Sequence, residues 1–253
     1  MTRIQPLGAG LPGVGIQRAA ILDDGRVMVA AMALPAALLA NMVLPSTAAI
    51  VLFLVLYWGI AATVLHCAAR TGVLRRFGWA NRITWIRTIL AIVIASTLID
   101  AGAAVNWWVV SALAALALAL DGLDGLVARR QGKTSRFGAL FDQEIDAGLI
   151  LALCLLLGVS GKTGFWIVAL GAMRYVFLVA GRIWPILRRP LPPSTGRSAV
   201  CALQVAALLV CLPPPVSAAA ANWIGGGALG VLALSFGRDV LWLLQQPQTE
   251  TRL

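Results

Sequence analysis

An all-α integral membrane protein is the fold class this chain predicts, on three observations. Sixty per cent of its 253 residues are apolar and only 12% are charged, about half the charged share of a soluble domain. Apolar runs long enough to cross roughly 30 Å of hydrocarbon recur along nearly the whole length after residue 26. No strand-like alternation accompanies them. Backbone groups in lipid must be satisfied within their own segment, so the runs are read as helices and not as barrel strands.

Residues 1–26 are Gly-rich, of mixed charge and weakly periodic, and predict a cytoplasmic tail. An apolar stretch over 27–44 breaks at Pro45, and a second covers 46–68. The first is read as an anchor and not a cleaved leader, because it is long and no compact basic segment precedes it. Between 70 and 87, Arg70, Arg75, Arg76, Arg82 and Arg87 mix with Trp79 and Trp85, the composition of a segment lying in the interface. Residues 70–83 therefore connect a helix pair at 27–69 to a membrane domain at 84–245, with a short tail at 246–253. That domain holds six further runs, near 84–103, 107–128, 138–159, 163–183, 198–213 and 217–237, which brings the expected number of spans to eight.

Arginine and lysine test the count, because positive charge accumulates on cytoplasmic loops. The basic residues at 70–87, 129–136, 182–197 and 238 all fall on one side if the spans alternate, and the opposite loops near 45, 104, 160 and 215 hold only Lys162. Both termini are then cytoplasmic. The net charge of +10 is spread over short inter-helix clusters, which suits anionic inner-leaflet lipid; no soluble segment is long enough to make a nucleic-acid-binding domain. Cys67, Cys154, Cys201 and Cys211 stand singly in or beside apolar runs, without the spacing of a zinc site or disulfide framework, and are expected to be small buried side chains. Tryptophans such as Trp107, Trp108 and Trp223 flank spans as an aromatic belt.

Five of the ten acidic residues fall between 121 and 146. A carboxylate near a bilayer costs roughly 2.5–3.5 kcal/mol even on the lenient insertion scale, so such a group requires a positive partner. Asp121 and Asp124 are three apart, on one face at a helix end; Asp142 and Asp146 are four apart, on one face near the start of the next helix. A short connection makes the two helices antiparallel neighbours, and the four carboxylates can converge on one cleft. Hard oxygen ligands of this kind suit magnesium, manganese or calcium, and two divalent ions would neutralise all four charges. Glu144 lies about 200° around the helix from Asp142 and points elsewhere. Gly125, Ala128 and Gly138 allow close approach to the backbone, and Arg129, Arg130, Lys133 and Arg136 bring positive charge to the same level. Carboxylate-held metal beside arginine is equipment for a polyphosphate.

Asp121, Asp124, Gly125, Ala128, Arg129, Gly138, Asp142 and Asp146 reproduce D-x2-D-G-x2-A-R-x8-G-x3-D-x3-D without a departure. A chance match is on the order of 10⁻⁸. The chain thereby resembles the CDP-alcohol phosphatidyltransferase family, over about residues 80–245. The resemblance implies a six-helix core, a homodimer, and transfer of a phosphatidyl group from CDP-diacylglycerol to an alcohol with release of CMP; residues 27–69 have no place in that core and are read as about two additional transmembrane helices. It further implies that Asp121, Asp124, Asp142 and Asp146 hold two Mg²⁺ or Mn²⁺ ions against the pyrophosphate. Gly125, Ala128, Arg129 and Gly138 would contact CDP, together with Thr84 of an N-x2-T-x2-R pattern formed by Asn81, Thr84 and Arg87. Asp146 would be the base, a role that physics alone does not give it over Asp142. Arg174 and Arg197 resemble basic residues of the family's acceptor pocket and favour a phosphorylated acceptor. The chemistry is expected at the cytoplasmic face of a bacterial inner membrane, where a greasy-tailed nucleotide can be reached.

Two other functions fit parts of the pattern. The same bond change can run from a soluble CDP-alcohol to diacylglycerol. A divalent-cation transporter also gathers carboxylates, but nearer the midplane and beside broken helices. The remaining polar residues have simpler readings: His66 closes an apolar span, and Asp100 and Asp239 belong to solvated headgroups.

Overall fold

The computed structural model describes residues 13–70, 79–101, 105–131, 136–184, 186 and 195–245, with main chain alone at 13–24, 79–80, 123–131, 136–137, 195 and 198. The described residues form eight α-helices: α1 (Gly13–Val43), α2 (Thr47–Arg70), α3 (Trp79–Ser96), α4 (Trp107–Gln131), α5 (Arg136–Val159), α6 (Val168–Ile183), α7 (Thr195–Cys211) and α8 (Ala218–Gln245). A 3₁₀ turn at Thr97–Asp100 prolongs α3, and another at Phe165–Ile167 leads into α6. Each expected span corresponds to a helix. The main difference is at the start, where α1 is helical from Gly13, well before the apolar stretch begins.

Five helical stretches are long and apolar enough to cross a membrane: Gly25–Val43, Thr47–Arg70, Asn81–Asp100, Phe165–Ile183 and Ala218–Gln245. The apolar parts of α4 and α7, Trp107–Gly122 and Ala199–Cys211, are shorter. In α5 the first half carries Asp142, Glu144 and Asp146. The charged signature thus shortens the apolar length of the helices that bear it.

Large apolar side chains lie bare on the outside, among them Met42, Leu34, Trp223 and Leu234, as hydrocarbon solvent permits and water does not. Helix α3 is the exception, with 61% of its apolar stretch inside the protein against 17–28% for the other four. It packs on α4 and α5, while α5 also meets α6 and α7, and α7 meets α8. The α1–α2 pair leans on the outer side of α3.

Many polar side chains in the helices find partners on nearby backbone, as an apolar medium favours. Thr88, Ser96 and Ser111 donate their hydroxyls to the carbonyls of Thr84, Ile92 and Trp107, one turn back. Side chains of Ser46, Asn106 and Ser217 accept backbone N–H groups at the starts of α2, α4 and α8. The Lys162 ammonium donates to the carbonyls of Cys211 (3.1 Å), Leu212 (2.8 Å) and Pro213, closing the end of α7. Two expectations need correction here. Asp100 accepts the Ser46 hydroxyl at 2.9 Å instead of standing in headgroups alone. Of the cysteines, Cys154 and Cys211 are buried, but Cys67 and Cys201 are exposed, because a thiol is apolar enough to face lipid.

The contact between α5 and α6 depends on the absence of a side chain. A Cβ on Gly171 would lie 2.7 Å from the backbone Cα of Leu151, and a backbone atom cannot swing aside. Gly171→Val should therefore separate the two helices and destabilise the protein by about 1–3 kcal/mol, seen as a lower thermal midpoint in detergent.

Candidate active site

The helix ends that carry the signature lie together at one end of the bundle: the last turns of α4, the first turns of α5 and the opening half of α3. Ligand oxygens of Asp121, Asp142 and Asp146 lie within 4.8 Å of one another. Like charges at that spacing repel by about 3–4 kcal/mol per pair at an effective dielectric of about 20. A cation must sit among them, and in this structure it is a side chain.

Arg87, on α3, projects into the middle of the three carboxylates. Its Nη1 meets Asp121 Oδ1 at 3.0 Å and also donates to Asp142 Oδ1, while Nη2 donates to Asp146 Oδ1. The guanidinium is a planar fork that binds several oxygens in fixed directions, a geometry that a lysine ammonium does not have. The Arg87 side chain is 3% exposed, whereas the three aspartates are 34–40% exposed. The cation closes the floor of the site and the carboxylates open toward a ligand. Three negative charges against one positive leave the cluster net negative, so it still attracts divalent cations.

Each of the four expected metal ligands is located on its helix. Asp121, Asp142 and Asp146 converge; Asp124 lies on α4 with its side chain outside the described residues, and the same holds for Gly125, Ala128 and Arg129. Gly138 stands in the first turn of α5, and Thr84 is buried one turn before Arg87 on α3. Arg174 and Arg197 do not join the triad through any described contact. Arg174, on α6, is paired with Glu144 of α5, and Arg197, on α7, lies 3.6 Å from Asp239 of α8. Glu144 therefore points away from the carboxylate cluster, as its place on the helix required. Asp239 is not a free headgroup residue but the partner of Arg197.

Arg87 is what reading the sequence for site residues overlooked. The sequence shows it as one of the interfacial arginines and as the last member of N-x2-T-x2-R, whose spacing sets Asn81, Thr84 and Arg87 along one face. All three are buried, and an arginine at the head of an apolar run is the signal that could have named it.

These features describe a membrane-embedded helical protein with a carboxylate cluster at one end of its bundle. The chain belongs to the CDP-alcohol phosphatidyltransferase family, which it matches over residues 77–234. It is accordingly a transferase of phospholipid biosynthesis that takes a CDP-linked substrate and an alcohol acceptor. A probable phosphatidylglycerophosphate synthase of Mycobacterium tuberculosis (strain CDC 1551 / Oshkosh) is 29% identical over 149 residues, covering 56% of this chain and 70% of the relative. The protein of the same name from strain ATCC 25618 / H37Rv matches to the same extent. No solved structure matches the chain.

Removing Arg87 leaves three carboxylates uncompensated. Arg87→Gln should cost about 1–3 kcal/mol, less than a wholly buried network because the aspartates are partly open to solvent. Arg87→Lys should recover part of that loss but not the transferase activity, since a point-like ammonium on a shorter side chain cannot reproduce the fixed planar fork that spaces the three carboxylates. Thermal midpoints and turnover of the two variants check both statements.

Proposed function

We propose that the chain transfers a phosphatidyl group from CDP-diacylglycerol to the hydroxyl of a phosphorylated alcohol, with release of CMP. The observation that carries this reading is the convergence of Asp121, Asp142 and Asp146 within 4.8 Å inside an unbroken family signature. The donor set is hard oxygen, half-open and net negative, which fits two Mg²⁺ or Mn²⁺ ions. Asp121, Asp124, Asp142 and Asp146 would hold them, and when bound they supply charge neutralisation for the diphosphate and for departing CMP.

The chain's own residues do the rest. Arg87 occupies the Oδ1 atoms of Asp142 and Asp146, which leaves each Oδ2 for other work. On Asp146 that oxygen takes the proton of the acceptor hydroxyl as the hydroxyl oxygen bonds to the phosphorus bearing the diacylglycerol. The bond from that phosphorus to the oxygen shared with CMP breaks, and CMP leaves with the electron pair. Thr84, Gly125, Ala128, Arg129 and Gly138 would seat the CDP portion.

Glycerol phosphate is the acceptor favoured here, for two reasons. The Mycobacterium tuberculosis relatives are named for phosphatidylglycerophosphate synthesis, and Arg174 and Arg197 are two guanidinium groups suited to a phosphate. Each is paired with an acid, so a phosphorylated acceptor would exchange one anionic partner for another and not meet a bare cation. The basic residues Arg70, Arg82, Arg182, Arg197 and Arg238 belong to the same bundle end as the site, which supports an active site at the cytoplasmic face of a bacterial inner membrane.

Purified protein supplied with CDP-diacylglycerol and magnesium should release CMP when glycerol phosphate is added, and more slowly or not at all with serine or inositol. Chelation of divalent metal should abolish the release. Release driven only by diacylglycerol and a soluble CDP-alcohol would assign the reverse pairing of donor and acceptor. Asp146→Asn should lower kcat by about 10²–10⁴-fold.

A further inference from the structure

Helices α1 and α2 lie outside the family match, which begins at residue 77, yet a continuous line of rings runs from α2 into the site helices. Phe53 and Tyr57 of α2 are 5.8 Å apart, Tyr57 meets Trp85 of α3 edge-on at 5.7 Å, and Trp85 stacks on Phe141 of α5 at 6.5 Å and 26°. Phe53, Tyr57 and Trp85 are at most 1% exposed and Phe141 is 8% exposed. The line is tied to α1 at its second ring, because the Tyr57 hydroxyl donates to the Val29 carbonyl at 2.6 Å in a buried setting. A second attachment, Ser46 to Asp100 at 2.9 Å, ties the start of α2 to the far end of α3. Helix α2 is thus pinned along α3 at two separate levels.

The ladder stops at the residues that matter for chemistry. Trp85 is two residues before Arg87 and about 200° around the helix from it, so the indole braces the back of the turn whose front carries the guanidinium. Phe141 immediately precedes Asp142. A rotation of α3 or α5 at these turns would move Arg87 against Asp142 and Asp146, whose shared geometry defines the site.

We propose that the α1–α2 pair is a positioning element of the transferase and not only a membrane anchor: Tyr57, fixed by Val29, sets Trp85, and Trp85 with Phe141 sets the rotation of α3 and α5 at Arg87 and Asp142. The residues concerned are positioning residues, since they are buried and would act through Arg87 and Asp142. The inference rests on the proposed function only for its activity readout, and direct metal binding tests it without that reading.

The experiment uses the full chain in lipid nanodiscs. Mn²⁺ affinity is measured by electron paramagnetic resonance, and CMP release from CDP-diacylglycerol and glycerol phosphate is followed against Mn²⁺ concentration. Tyr57→Leu and Trp85→Leu should weaken Mn²⁺ binding and lower kcat at least about tenfold each, while Trp85→Phe, which keeps a ring, stays within about twofold of the parent. Val55→Ala, on the exposed side of α2, should match the parent. If the leucine variants do not fold, Tyr57→Phe, which removes only the bond to Val29, should show the same two changes at about threefold. Variants that melt earlier but bind Mn²⁺ and turn over as the parent does, per folded molecule, would reduce the ladder to packing and overturn the proposal. A parent protein that binds Mn²⁺ but releases no CMP would instead count against the proposed function, and the Mn²⁺ affinities of the variants would still decide the positioning claim.

Discussion

Carboxylates assembled at the edge of a hydrocarbon layer repel one another and are poorly hydrated, and the rest of this structure answers that constraint. Asp121, Asp142 and Asp146 come within 4.8 Å because Arg87 reaches between them from a third helix. The guanidinium is buried and the carboxylates are half-open, so the cluster has a closed cationic floor and an anionic mouth. One positive charge among three negative ones holds the geometry without exhausting its attraction for further cations.

The arrangement of helices follows from where those charges must stand. The signature halves occupy the end of α4 and the start of α5, so both helices place their charge at the same rim and keep an apolar remainder within the bilayer. Helix α3 supplies the third side and is the most enclosed of the spans, which is how an arginine in an apolar run can be shielded from lipid. At the opposite end of the bundle the polar work is structural, with Lys162 on the carbonyls that close α7 and Asp100 on Ser46. The carboxylate cluster and these structural contacts lie at the two ends of one bundle.

Much of this was legible in the chain itself, because it is encoded by short-range spacing. Apolar runs bounded by Pro45, by arginine clusters and by tryptophans marked eight helices, and the separations of three and four between aspartates put each pair on one face. Glu144 was excluded from the cluster by the same helical arithmetic. What escaped was pairing between distant helices. Arg87 is 55 and 59 residues from its partners Asp142 and Asp146, so its place at the head of an apolar run marks it as unusual without naming the carboxylates it meets. The pairs of Asp100 with Ser46 and Asp239 with Arg197 escaped for the same reason. Asp124 and the other mid-signature residues, Gly125, Ala128 and Arg129, were assigned from the motif, and their side chains are outside the described residues.

The central claim is that the aspartate cluster grips divalent cations that in turn grip a nucleotide diphosphate. Phosphorus electron–nuclear double resonance on the Mn²⁺-loaded protein addresses it without requiring turnover. The account predicts that ³¹P couplings to the bound Mn²⁺ appear when CDP-diacylglycerol is added and vanish in Asp121→Asn. Tightly bound Mn²⁺ that shows no phosphorus coupling in the presence of the nucleotide lipid would contradict it.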